Sequence, residues 1–164
     1  MGIALLTVAV VGTACFAASL LLGYVIPVHQ SLAHHFVLAL GSTFLLVMAH
    51  SFIMFFLIAT GVELKDMEKA AGWGDTFRRR TIALKARVFP AMTVALVLVM
   101  ANFILGAAAH THAVPQRVHE GFSWVTLAVC VVALHREYQV LGANNRLIAE
   151  AASRREDASV RTGA

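Results

Sequence analysis

The chain has 164 residues, of which 59% are hydrophobic and only 13% charged, with a mean hydropathy of +0.76. About a quarter of a soluble domain is charged, so this composition excludes an ordinary water-soluble fold and points to an integral membrane protein. The net charge of +4 comes from basic clusters that flank apolar runs. That is a topology signal and gives no sign of nucleic-acid binding.

The first apolar run, residues 3–28, is uncharged over 26 residues. A spanning helix needs about 20. The run lacks the basic start of a signal peptide and exceeds the usual apolar length of one, so it reads as a retained first transmembrane helix. Ala14 and Ala18 form a small-xxx-small pair suited to a close helix neighbour. Pro27 is expected to end the helix or bend its exit.

The second span, residues 35–62, begins at His34 and His35 and carries His50 near its middle. A titratable, metal-competent side chain at that depth is costly, which makes it the sharpest functional hint in the chain. The helix is expected to continue into the ELKDMEKA stretch and to stop at a turn marked by Gly72 and Gly74 around Trp73. Arg78, Arg79, Arg80, Lys85 and Arg87 follow. They read as a positive-inside anchor with snorkelling side chains. Binding of anionic lipid head groups is a weaker alternative.

The third span, residues 88–109, has Pro90 in its expected first turn and one polar residue, Asn102, suited to bonding a neighbouring helix. Gly106 and the three alanines after it thin the helix, so another backbone or a flat ligand can come close. The fourth span is the shortest. Residues 121–134 are uncharged, so a spanning helix must run over about residues 119–140. His135, Arg136 and Glu137 then fall at the inner boundary, with Trp124 and Tyr138 near the two interfaces. Residues 153–164 read as a flexible tail behind a transmembrane domain of residues 1–152. Cys15 and Cys130 each sit in an apolar run with no CxxC pair, as core thiols do.

Basic residues concentrate between the second and third spans and after the fourth, while the other two loops hold a single arginine, Arg117. The expected fold is therefore a four-transmembrane-helix bundle with both termini cytoplasmic, a multi-pass protein of a bacterial inner membrane. In that topology the second and fourth helices run the same way.

Of the eight histidines, His29, His34, His35, His110, His112 and His119 map to the outer rim, and His50 and His135 lie deeper. His35 and His50 are 15 residues apart and His119 and His135 are 16 apart. The rises are roughly 22 and 24 Å. One histidine from each helix is thus expected at each of two depths. A low-spin b-type haem needs two axial imidazoles from facing helices. Ser42, Thr43 and Met54 lie on or beside the His50 face, where they suit the surroundings of a ring.

This plan resembles the di-haem helix bundles of membrane cytochromes b. The resemblance covers only the histidine layout on two helices. It implies haem b held by His50 and His135, a second outer site at His35 and His119, and electron transfer with quinone as an exchange partner. Rotation favours one inner haem over two, because 16 residues leave His119 and His135 about 160° apart around their helix.

Two other readings stand beside it. The rim histidines, with His110 and His112 as a chelating pair, suit copper or zinc. Alternatively the chain is a cofactor-free accessory subunit packed against a larger membrane complex. No nucleotide loop or nucleophile constellation is present. The absence of Asp or Glu from the first three spans argues against a carboxylate proton relay.

Overall fold

The computed structural model describes residues 2–25 and 28–162. Pro27 and the last two residues of the expected tail lie outside them. The chain forms four helices: α1 (Gly2–Val25), α2 (Val28–Ala71), α3 (Thr76–His110) and α4 (Gln116–Thr162). All four are long and apolar enough to cross a membrane.

The helices outrun the apolar spans. Pro90 lies well inside α3, not in its first turn, and its ring removes one backbone donor there. Residues 153–162, expected as a flexible tail, belong to α4. A seam that continues past the apolar spans accounts for the extension as far as Ala151; residues 152–158 beyond it are exposed. On α4, residues Ser123, Thr126, Cys130, Ala133, Glu137, Val140, Asn144, Leu147 and Ala151 are all buried. They step by three and four residues throughout, the 3.5-residue period of left-handed helix packing. The same rhythm gives the buried face of α2, from Leu46 through His50, Ile53, Leu57 and Thr60 to Leu64.

Each helix packs on its neighbours in chain order, and α4 closes the ring against α1. Across the middle, the backbones of α2 and α4 approach each other, whereas among the described residues those of α1 and α3 stay farther than 8 Å apart. The α2–α4 diagonal is therefore the centre of the bundle. Its core divides into three layers. Phe16, Leu46, Ala95, Val99 and Cys130 fill the first, and Ile53, Leu57, Val88, Met92 and Val140 the second. Leu64, Phe77, Leu147 and Ala151 fill a third layer, built from α2, α3 and α4. Outward-facing Phe44, Phe55, Val97 and Ile104 leave a surface suited to hydrocarbon.

Ala14 and Ala18, expected at a helix contact, lie on the exposed face of α1. The close approach is at Gly12, where an added Cβ would stand 3.2 Å from side-chain atoms of Leu45 and Leu46. A tighter approach joins α2 to α3. A Cβ on Gly61 would meet Thr81 Cγ2 at 2.7 Å. Gly61→Ala is therefore expected to destabilise the protein by about 1–3 kcal/mol through overpacking. Gly41, with nothing within 4 Å of its added Cβ, is the matched control. Thermal unfolding in detergent should show a clear loss for the first substitution and none for the second.

The α2–α3 turn is as expected, with Gly72 and Gly74 both at positive φ (66° and 81°). The start of α3 is fixed from a distance. Glu68, only 2% exposed, accepts the Phe77 N–H at 2.7 Å on Oε1 and the Arg78 N–H at 3.0 Å on Oε2. Asp75, the residue in the N-cap position, makes no side-chain cap bond.

Candidate functional site

On the α2–α4 diagonal, His50 faces Glu137. The His50 Nδ1–H donates to Glu137 Oε1 at 2.5 Å, and both residues are 0% exposed. The seam periodicity aims both side chains inward. Glu137 lies one heptad from Cys130 and one from Asn144, so all three share one face of α4.

The bond uses only half of each group. His50 Nε2 and Glu137 Oε2 are buried and have no protein partner. Such atoms are rare, because an unpaired polar atom in a dry interior costs about 1–3 kcal/mol. A second polar contact crosses the same diagonal toward the basic end of the bundle. Thr60 Oγ1 lies 3.3 Å from Asn144 Oδ1, and Asn144 Nδ2 is also buried without a partner.

Charged groups near the pair sit on its rim. Arg136 donates to the Arg87 backbone carbonyl at 3.4 Å, with both arginine residues exposed. Lys85 Nζ would stand 3.0 Å from a Cβ at Gly61. Among the described residues, the Glu137 carboxylate forms no ion pair besides its contact with His50, and the neighbouring seam residues Ala49, Ile53 and Ala133 are buried and apolar.

His50 and His135 do not come together. Two residues before Glu137, His135 points about 160° away from it around the helix. It is exposed, and Gln139 Nε2 donates to its ring nitrogen at 2.9 Å. Glu137 takes the place across from His50 that the depth argument reserves for His135. It also sets a carboxylate inside the bundle, against the expectation drawn from the first three spans.

The outer pair fares differently. His35 and His119 lie within electrostatic reach of each other. The His35 Nδ1–H donates to the Ser19 carbonyl at 3.0 Å, and Gly23 leaves room beside the ring. The His119 ring stacks into the gap at Gly106, with ring atoms 3.1–3.7 Å from where a Cβ would be. The thinned end of α3 therefore receives a side chain. One turn deeper, the Ser123 hydroxyl lies 2.8 Å from both the His119 carbonyl and the Asn102 side chain, which gives Asn102 its helix-bonding role.

The remaining rim histidines do not converge. His34, His110 and His112 are exposed, and His112 sits at φ 58° in the turn after α3. Among the described residues, no three His, Cys, Asp or Glu side chains form a group that could hold a metal ion. Ser42 is buried but bonds the carbonyl of Ala39 on its own helix.

Sequence reasoning missed Glu137 and Asn144. The signal that finds them is the heptad run Ser123, Cys130, Glu137, Asn144, polar or thiol at every seventh residue along one face. Compared with known protein families, curated proteins and solved structures, the chain matches none.

Proposed function

We propose that the chain is a small proton-handling subunit of a larger membrane complex, with the His50–Glu137 pair as its working centre. One observation carries this reading: a fully buried histidine–carboxylate contact at the bundle centre in which each group keeps one free polar atom. Buried ionisable groups in membrane helices are expensive and usually serve transport or proton transfer.

The proton count is simple. With the imidazole and carboxyl group sharing a full complement, as imidazolium and carboxylate or as imidazole and carboxylic acid, the pair is neutral. Loss of one proton leaves imidazole beside carboxylate and a net charge of −1. The free Nε2 and Oε2 are the atoms at which that proton enters or leaves. The apolar outer surface meets lipid and partner subunits. The basic loop and the α4 end face the cytoplasm, as the positive-inside rule requires.

Infrared difference spectra of the protein in lipid nanodiscs, taken between two pH values, test this. The expected result is one buried carboxyl band per chain that is lost in Glu137→Gln and displaced in His50→Gln. Spectra in which no carboxyl responds to either substitution overturn the proposal.

A second reading, b-type haem electron transfer with quinone exchange, is favoured by one observation. A histidine whose Nδ1–H is held by a carboxylate and whose Nε2 is free has the arrangement of an oriented metal ligand. His135 of the same chain does not face it, and His50 is fully enclosed, so the described residues supply one candidate ligand and no second one. A reduced-minus-oxidised spectrum separates the two readings. A sharp b-type band lost in His50→Ala supports the haem, and no band under full haem supply rules it out.

A further inference from the structure

Among the described residues four buried polar atoms have no partner; His119 Nδ1 stands apart near the other end of α4, and the remaining three, on His50, Glu137 and Asn144, belong to one stretch of the α2–α4 seam. Glu137 and Asn144 lie seven residues apart on one face of α4, about 10.5 Å along the axis. Both are 0% exposed and both have an unused polar atom, as does His50 across the diagonal. Thr60, buried beside Asn144, donates to the Phe56 carbonyl at 3.0 Å. A hydroxyl has one proton. If it goes to Phe56, the Asn144 amide turns its NH₂ to Thr60 and leaves its carbonyl oxygen open instead. Either amide orientation leaves one Asn144 group unsatisfied.

The opposite direction along the seam differs. Above Glu137 the seam passes Ala133, Cys130 and Thr126, with Phe16, Leu46 and Val99 packed around it. The Thr126 hydroxyl is spent on the carbonyl of Phe122 at 2.9 Å. Ser123 and Asn102 satisfy each other. The unpartnered amide of Asn144 therefore lies on the basic side, one apolar layer (Ile53, Leu57 and Val140) from the pair, while the free thiol of Cys130 lies on the other.

We propose that Asn144, with Thr60, forms the inner station of a water-bridged proton path running from the basic end of the bundle to the His50–Glu137 pair. The ligand is water. The rise of about 10.5 Å between the two residues corresponds to about four hydrogen-bond steps of 2.8 Å, a file of about three molecules. Buried waters typically satisfy such otherwise unpaired groups. A proton arriving at Asn144 passes along the waters to Glu137 Oε2, and the same number leaves when the pair discharges. The charged groups around the route are Glu63, Lys65 and the buried Glu68 on α2, Lys85 and Arg87 on α3, and His135, Arg136 and Arg146 on α4; the described part of α1 brings none.

This inference rests on the proton-handling reading, and the test keeps the two apart. The probe is D₂O, and the readout is the rate at which the Glu137 carboxyl band exchanges in nanodiscs. Asn144→Leu should slow exchange about tenfold or more, equivalent to at least ~1.4 kcal/mol of barrier, while the band amplitude stays. Asn144→Ser, which restores a polar group, should return most of the rate. Ser123→Ala, on the other side of the pair, should leave it unchanged. An Asn144→Leu rate equal to that of the unsubstituted chain, or slowing by Ser123→Ala instead, overturns the path but leaves the proton-binding pair. Absence of the band from the unsubstituted chain overturns the pair itself.

Discussion

His50→Leu lowers the unfolding free energy by about 3–5 kcal/mol, and adding Glu137→Met restores most of that loss. The reasoning is that of a buried ionic pair. His50 and Glu137 are both 0% exposed, so removing one partner strands the other in an apolar interior. Removing both leaves two apolar side chains of similar volume on a seam already lined by Ile53, Leu57 and Val140. Replacing buried pairs in this way is often neutral or stabilising. Denaturant titration in mixed micelles measures the cycle, and a double variant as unstable as the sum of the singles would count against a direct interaction. The cycle also separates fold from function. The double variant should be well folded yet lack the carboxyl band, because stability and proton exchange make opposite demands on this site.

Glu68→Ala should cost about 2–3 kcal/mol, since two backbone N–H groups at the start of α3 lose a charged acceptor in a nearly closed site. The loss falls on the layer of Leu64, Phe77, Leu147 and Ala151 that joins α2, α3 and α4 beyond their apolar runs. Asp75→Ala, although it alters the residue next to α3 in sequence, should change stability by no more than about 0.5 kcal/mol. Its carboxylate makes only an exposed 3.7 Å contact with Arg78. Equal effects of the two substitutions would show that the helix start is set locally. Trp73, tilted at 48° to Phe77 with ring centroids 5.9 Å apart and Arg154 5.6 Å above the indole ring, reports unfolding of this layer by fluorescence.

The four helices were readable because each apolar run is long and the charges fall between runs. Their ends were not. The beginning of α3 depends on a glutamate nine residues before Phe77, and no local cap marks it. The seam carries α4 as far as Ala151, with Arg146 on its exposed face, and the polar, exposed residues after it, Arg154 and Arg155 among them, looked in composition like a tail.

At the site, depth was legible and rotation was not. His50 stood out because nothing charged surrounds it in the sequence. Glu137 was hidden between Arg136 and Tyr138, both exposed, which made the whole triplet look like a boundary. One step of 100° around the helix separates an exposed arginine from a buried acid. The same rotation places His135 outside and leaves His119 near His35, so equal depth identified a neighbouring pair only where the face also matched.

The central claim is that His50 and Glu137 act as one proton-binding unit inside the bundle. Solid-state ¹⁵N NMR of the full chain in lipid bilayers, with labelled histidines and His50 assigned by its loss in His50→Gln, tests this most directly. The account predicts a His50 Nδ1–H signal displaced by bonding to a carboxylate, which moves in Glu137→Gln, and an Nε2 signal that changes protonation with pH. A His50 spectrum identical with and without the Glu137 carboxylate would contradict it.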